Sequence, residues 1–314
     1  MKIILFTISG AAEPVIKKLV SQGTPPAYVV PPKDGHFLRE KTIVLAHEYN
    51  IPVIMFNTDP SEELFVKRIN EIAPDLILVA TFSHLIPESV YSAASIAAIN
   101  AHPSLLPEYR GANPSYHVIA NGESHTGVTL HLLDNHFDTG AILQQISLPI
   151  SPQDTAGTIT VKLDILMATE LSAIVDTIKE SGLPKESPQS NQSMHTAPRV
   201  HPPSDCINWE EPAQDIDRII RANNPFHFIC TRLNDLDVIL FSGGLVDIST
   251  LSTLSENARY GEIVAIDEFG VILKTGDGAY RITSLSYGTV WAGDTVTLAK
   301  LGLINIGDCF ESKS

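Results

Sequence analysis

Over the first half of the chain, short apolar runs alternate with amphipathic stretches. Each run is short enough for a strand buried on both faces, and each stretch can form the helix that covers it, so the pattern predicts βα units feeding a parallel sheet. Strands are expected over residues 2–9, 28–30, 53–56, 76–80 and 97–100, with helices over 12–22, 39–49 and 61–72. The last of these is introduced by Asp59-Pro60-Ser61, a good capping sequence. A loop rich in Pro and Gly, 102–111, leads to a helix over 114–121 and strands over 126–132 and 141–149. A long periodic segment, 158–180, reads as the helix that closes the domain.

The pattern then stops. Residues 184–204 carry five prolines and no hydrophobic period, which reads as a linker or a long surface crossing. Beyond it one short helix, 216–222, precedes strands over 237–241, 261–266, 271–274 and 279–285, punctuated by Gly243-Gly244 and Gly276-Asp277-Gly278. A small β-rich barrel or sandwich fits that spacing. The expected architecture is therefore α/β: a catalytic domain over 1–183 with a Rossmann-like parallel sheet, a linker over 184–204 and a β-rich, barrel-like domain over 205–314. A length of 314 residues suits two such cores.

Several function classes fall away at this level. No apolar run reaches the roughly 18 residues of a membrane helix, and the start, Met1-Lys2-Ile3-Ile4-Leu5-Phe6, lacks the length and cleavage site of an export signal. Three scattered cysteines (Cys206, Cys230, Cys309) give no disulfide framework and no metal-ligand spacing, and fit a reducing, cytoplasmic setting. The turn after the first strand, Ser9-Gly10-Ala11-Ala12, is neither a dinucleotide fingerprint nor a P-loop. A net charge of −15 leans against long polyanions as partners.

The densest chemistry lies in Asn100-Ala101-His102-Pro103-Ser104. Asn100 and His102, two apart at a strand's end, point to one side of the sheet, and the carboxyl end of such a strand is where ligands bind. An amide N–H and an imidazole aimed together can stabilise a developing oxyanion. Asp138, in Asp134-Asn135-His136-Phe137-Asp138-Thr139-Gly140, could orient His102 and take a proton. It could equally cap its own turn. Nothing in the spacing brings Asp138 to His102.

Asn100-x-His102-Pro103-Ser104-Leu105-Leu106-Pro107-x-Tyr109-Arg110-Gly111, followed by Gly122-Glu123, Thr126-Gly127-Val128-Thr129 and Asp138-Thr139-Gly140, resembles the signature of the folate-dependent formyltransferases. The region from Val200-His201-Pro202-Pro203 through Trp209 to Gly276-Asp277-Gly278-Ala279 is similar to the C-terminal domain of the methionyl-tRNA and several sugar N-formyltransferases. The resemblance implies a one-carbon transferase with Asn100, His102 and Asp138 as catalytic residues and 10-formyltetrahydrofolate as co-substrate, with no metal. It also implies a pterin slot formed by the loops holding Phe82, His84, Leu85, Ile86 and Pro87 and holding Leu133, Asp134, His136 and Phe137. Ser104 and Arg110 are expected only to shape their loop.

The acceptor is expected to be a small amine, a nucleotide-linked amino sugar first and a hydroxylated or amino-acid-like amine second. Methionyl-tRNA is the alternative; a formyltetrahydrofolate hydrolase and a non-catalytic folate-binding protein rank below it. Three departures disfavour tRNA: Phe6-Thr7-Ile8-Ser9-Gly10-Ala11 after the first strand, a weakly charged loop over 31–41, and Ala112-Asn113-Pro114 after Arg110-Gly111. Charge adds a fourth: from Asp205 onward 16 acidic residues face 8 basic ones, a net of −8. Phe6, Thr7, His84, Tyr109, Asn113, Tyr116 and His136 are further pocket candidates. The C-terminal domain could serve dimerisation or an accessory ligand site, and the sequence leaves both open.

Overall fold

The computed structural model describes residues 1–8, 10–33, 37–56, 63–190, 195–201, 205–247, 249, 257–288 and 291–312. Its chain divides into two compact units. The first comprises Met1–Pro114, Ser124–Ile150 and Ile159–Pro198, and the second Ser115–Glu123, Ser151–Thr158 and Arg199–Ser314.

In the first unit the elements run β1 (Ile3–Thr7), α1 (Ala12–Ser21), β2 (Tyr28–Val30), α2 (Phe37–Glu48), α3 (Glu63–Ile72), β3 (Leu76–Ala80), α4 (Glu88–Tyr91), β4 (Ala97–His102) and β5 (Arg110–Gly111). The chain then forms α5 (Pro114–Ala120), most of which belongs to the second unit, and continues in the first with β6 (His125–Leu132), β7 (Ile142–Pro149), α6 (Ala156–Ser181) and β8 (Thr196–Ala197). The apolar runs Ile-Ile-Leu-Phe-Thr and Leu-Ile-Leu-Val-Ala are buried at every position of β1 and β3, as a strand covered on both faces requires. Helix α1 buries Ala12, Val15, Ile16 and Leu19, the stripe of a 3.6-residue period.

The sheet order is β2-β1-β3-β4-β6-β7. Its first four strands are parallel, whereas β6 runs antiparallel to β4 and to β7. This mixed sheet refines the expected parallel one at the edge that carries the chemistry. The strand expected over 53–56 is reduced to two isolated bridges, Val29 with Val53 and Pro32 with Phe56. Pro31 and Pro32 have no N–H to continue a ladder there. The cap expected at Asp59-Pro60-Ser61 lies outside the described residues.

Of the stretch read as linker, the described residues 184–190 and 195–198 do not stand apart from the first unit. Ser187 bridges Ile142, and β8 pairs in parallel with β5, Arg110 against Thr196 and Gly111 against Ala197. Gly111 sits at φ 125°, and a Cβ there would lie 2.4 Å from the Ala197 carbonyl, so this close approach requires glycine.

The second unit holds β9 (Asp205–Cys206), α7 (Ala213–Asn223), β10 (Ile229–Leu233), β11 (Leu236–Leu245), β12 (Ile263–Ile266), β13 (Val271–Lys274), β14 (Ala279–Tyr287), β15 (Trp291–Asp294) and α8 (Thr295–Lys300). The strand path is β12-β13-β14-β11-β10-β9, with β15 beside β14. The C-terminal tail joins the two sides of that path: Cys309 bridges Glu262 before β12, and Glu311 bridges Arg232 in β10. Between them Phe310 is fully buried and meets Trp209 edge-on at 6.0 Å. This closure by three tail residues gives the barrel-like character expected from the strand spacing. The sequence reading missed β10, β15 and α8, which are short segments without a strong period.

A buried polar chain fixes α7 to this sheet. Tyr280 Oη donates to Asp217 Oδ1 at 3.1 Å, and Arg221 Nε donates to Asp217 Oδ2 at 2.6 Å. Tyr280→Phe removes one of these donors while Arg221 still satisfies the carboxylate, so a loss of about 1–2 kcal/mol is expected in urea unfolding. Among the described residues no helix is long and apolar enough to cross a membrane.

Candidate active site

The site is built on the end of β4 and the first return of the chain across it. Because β4 alternates, Asn100 and His102 share a face. Because β6 is antiparallel to β4 in the register Asn100 opposite His131 and His102 opposite Thr129, two further side chains become direct cross-strand neighbours. Thr129 is structural: its hydroxyl donates to the Ser104 carbonyl (2.6 Å) and accepts from Leu106 N (3.0 Å), folding the loop after His102. Ser104 donates to the Glu108 carbonyl at 2.7 Å, a loop-shaping bond as expected.

The loop after β6 folds back so that Asp138 reaches both β4 residues. Asp138 Oδ1 lies 3.3 Å from His102 Nδ1 and 3.4 Å from Asn100 Nδ2, while Gly111 N donates to its Oδ2 at 3.1 Å. Asp138 has φ 58°, a left-handed conformation that an Asp tolerates better than most residues. At Gly140 any Cβ would lie 1.8 Å from the Leu132 carbonyl, so only glycine lets the loop turn back there. The turn-capping bond considered for Asp138 belongs instead to Asp134, whose Oδ1 accepts from His136 N (3.1 Å) and whose carboxylate also accepts from Thr139 Oγ1 (2.8 Å).

His102 is 4% exposed. Its Nε2 lies 3.0 Å from the Tyr109 carbonyl and its Nδ1 faces Asp138, so both ring nitrogens act as donors when the ring is charged. Burial pushes the imidazole down, but the Asp138 carboxylate and the Tyr109 carbonyl outweigh it and hold His102 above its ordinary range. Burial opposes ionisation of Asp138 too, yet the His102 charge and the Gly111 N–H bring its carboxyl below the usual range. The two groups form a buried ion pair.

An open groove lies against this cluster. Phe82, His84, Leu85, Ile86, Leu133, Asp134, His136 and Phe137 line it together with Val79, Asn100, His131 and Asp138. Eight of the nine residues expected to hold the pterin are thus gathered beside Asn100 and Asp138. Pro87 is not on the groove; it is the N-cap residue of α4. Leu85 and Phe137 are exposed on the groove, whereas the Phe82 ring packs edge-on to Phe6 (5.5 Å) and Phe56 (5.2 Å) beneath it.

A formyl transferase family model matches residues 2–176, and the C-terminal domain model of the same enzymes matches residues 199–289. The chain belongs to the formyltransferase family. A methionyl-tRNA formyltransferase of Ruminiclostridium cellulolyticum is 31% identical over 293 residues, which cover 91% of this chain and 92% of that one. Among solved structures, the sugar 3N-formyltransferase WlaRD, crystallised in the presence of dTDP and 5-N-formyl-THF, superposes with a TM-score of 0.64 at 21% identity, covering 94% of this chain and 97% of that one. The N-formyltransferase from Helicobacter canadensis, in complex with folinic acid and dTDP-3-aminofucose, gives 0.63 at 20%, covering 90% and 98%. These two likenesses show the shared fold.

Three other expected pocket residues of this formyltransferase, Phe6, Thr7 and Tyr109, are built into its interior, whereas Asn113 and Tyr116 are half-buried away from the groove lining. Phe6 and Thr7 are fully buried, and Tyr109 stacks on His195 at 5.4 Å with the rings 8° apart. Tyr116 meets His227 edge-on. Only His84 and His136 of that group reach the groove.

Two contributors escaped the sequence reading. His131, opposite Asn100, lies 3.0 Å from Asn100 Nδ2 through its Nε2. Gln189 lies in the stretch read as linker: its Nε2 donates to the carbonyls of Asp138 (2.9 Å) and Gly140 (2.8 Å), and its Oε1 accepts from Arg110 Nε (3.2 Å) and Nη2 (2.6 Å). It ties the Asp138 loop to the strand whose Gly111 N–H holds the Asp138 carboxylate. Gln189→Leu is expected to lower kcat about tenfold or more, since a small misplacement of a catalytic group carries that penalty, with folate KM unchanged in steady-state kinetics.

Proposed function

We propose that this formyltransferase moves a formyl group from 10-formyltetrahydrofolate to the primary amine of a small acceptor, with Asn100, His102 and Asp138 as its catalytic residues. The observation that carries the reading is that Asn100 and Asp138 line the groove formed by the expected pterin-contacting loops, with the buried His102 against Asp138 at 3.3 Å. The neutral amine attacks the formyl carbon, the C–N bond forms and the carbonyl electron pair moves to oxygen. Asn100 Nδ2 donates to that oxyanion, and the buried His102 cation supplies a positive field beside it. Asp138 takes the proton from the attacking nitrogen and passes it to the folate nitrogen, which leaves as the neutral amine when the oxyanion electron pair re-forms the carbonyl and the old C–N bond breaks.

The outer contacts are the loose ones. His102 and Asn100 meet Asp138 at 3.3 and 3.4 Å, longer than a charge-assisted bond of ~2.8 Å, while Tyr109 and His131 hold the same two residues at 3.0 Å. A substrate can therefore displace the Asp138 contacts without disturbing the inner supports.

For the acceptor, a nucleotide-linked amino sugar is favoured because the C-terminal segment offers few free cations. Each arginine from residue 205 onward faces a carboxylate: Arg218 with Asp215 (2.8 Å), Arg221 with Asp217 (2.6 Å), Arg259 with Glu262 (3.3 Å), Arg232 with Asp237 (3.8 Å), and Arg281 with Asp267. A surface that holds a nucleic-acid stem needs uncommitted positive charge. Of the segment expected as a loop over 31–41, Arg39 and Lys41 lie on α2, where Arg39 pairs with Glu40 and Lys41 with Glu13. The second reading, methionyl-tRNA as acceptor, draws on the 31% identity to a full-length methionyl-tRNA formyltransferase.

The test is consumption of 10-formyltetrahydrofolate by the full chain with nucleotide-linked amino sugars, hydroxyornithine or methionyl-tRNA at physiological salt. Formylation of a small amine is the expected result. Rapid formylation of methionyl-tRNA with none of the small amines would overturn the acceptor assignment, and formate release without acceptor would reveal a hydrolase.

A further inference from the structure

We propose that His131 is a positioning residue that sets which end of the Asn100 amide faces the reacting formyl oxygen; this rests on the formyl-transfer reading above. An asparagine side chain can sit either way round, and only one way presents N–H to an oxyanion. The choice is made on the neighbouring strand, β6. His131 Nδ1 lies 2.8 Å from the Leu132 carbonyl, an oxygen that can only accept, so Nδ1 carries the proton. In a neutral ring the opposite nitrogen, Nε2, is then a bare lone pair. The atom of Asn100 at 3.0 Å from it must therefore be the donor, Nδ2. Turned over, Asn100 would set its carbonyl oxygen against that lone pair.

The argument needs a neutral His131, and its surroundings supply one. The ring is 2% exposed, and it has His102 across the face, with Asp138 Oδ1 at 3.8 Å and Asp134 on the loop above. Burial, then the His102 charge, outweigh the two carboxylates and push His131 down to about 4. Once one Nδ2 hydrogen is committed to His131, the second is left directed to Asp138 Oδ1 at 3.4 Å. That long bond is the one a formyl oxygen can replace. His131 touches neither reacting atom in this scheme; it acts through Asn100.

The test combines kinetics with an observation that needs no acceptor. His131→Leu, which keeps bulk and removes the acceptor atom, is expected to lower kcat about tenfold or more, with the KM for 10-formyltetrahydrofolate within about twofold. His131→Gln, whose Oε1 can accept from Asn100, is expected to recover most of that loss. Circular dichroism and melting curves check that both variants fold. In the wild-type chain labelled with ¹⁵N-histidine, the His131 resonances at neutral pH are expected to show a proton on Nδ1 and none on Nε2. Equal kcat in wild type and His131→Leu, a His131→Gln enzyme no better than His131→Leu, or a protonated Nε2 would each overturn the proposal. A wild-type enzyme that formylates no amine would instead sink the functional reading, and the ¹⁵N spectrum would still decide the hydrogen-bond chain.

Discussion

Asp138→Asn will lower kcat by about a thousandfold or more while leaving folate binding within a few-fold of wild type. Three effects act together. In the proposed mechanism the variant has no base for the proton of the attacking amine, a contribution of roughly 10²–10⁴ in general-base catalysis. It removes the carboxylate that favours the charged form of His102, and burial is then opposed only by the Tyr109 carbonyl. It also exchanges an acceptor that holds Gly111 N and Asn100 Nδ2 for an amide that can present the wrong atom to either. Folate affinity is expected to be spared because the proposed folate groove is lined mainly by Phe82, His84, Leu85, Ile86, Leu133, Asp134, His136 and Phe137. Single-turnover kinetics with 10-formyltetrahydrofolate, alongside fluorescence titration of the folate, separates the two quantities. Equal losses in both would show that Asp138 is a structural residue of the groove.

The same pair makes a pH-dependent contribution to stability. His102 has a raised folded value, so its contribution is complete below 6.5 and is lost as pH rises through that raised value. Asp138 has a lowered one, so its contribution is present above 3.8 and is lost as pH falls through it. The pair therefore supports the fold most strongly between those limits. His131 works on the acid side: its folded value of about 4 lies below the ordinary 6.5, so stability is lost as pH falls across that interval.

The second large effect is expected at Asp164, on α6, far from any catalytic role. Its carboxyl is 7% exposed, and burial pushes it up to about 7 from 3.8. A Cβ placed on Gly10 would fall 2.5 Å from its Oδ2, so the carboxyl is pressed against the turn that opens α1. Since the folded value is raised, the fold is favoured below pH 3.8 and loses that advantage as pH rises to about 7. At ~1.4 kcal/mol per pH unit the interval amounts to about 4 kcal/mol. Asp164→Asn keeps the shape and removes the ionisation, so its melting temperature should draw ahead of wild type as pH rises from 4 to 8. A gap of ~10 °C at pH 8 is the scale expected for that free energy in a unit of this size. A difference that does not change with pH would mean that Asp164 is charged and solvated in the folded protein.

Much of this could be seen before any coordinates. The apolar runs of β1 and β3 and the 3.6-residue stripe of α1 are local patterns, and each became the element it announces. Asn100 and His102 share a face for the same local reason, an interval of two on a strand. What failed was equally consistent. Phe6, Thr7 and Tyr109 have the chemistry of pocket residues but lie in the interior, because polarity and aromaticity do not report burial. Residues 184–198 look like a tether because Pro, Ser and Gln have no hydrophobic period, yet Gln189 uses every hydrogen-bonding group of its amide on the active-site loops.

The sequence by itself determined the order of βα units and the family signature, from which Asn100, His102 and Asp138 are drawn as the proposed catalytic residues, since these patterns run along one chain. Tertiary structure alone decided that Asp138 turns back to His102, that His131 stands opposite Asn100, and that Gln189 ties the Asp138 loop to Arg110. The physical reason is strand register. Shifting β6 by one residue against β4 would leave every local pattern nearly unchanged, but would turn His131 to the other face and leave Asn100 with only the long Asp138 contact on its amide.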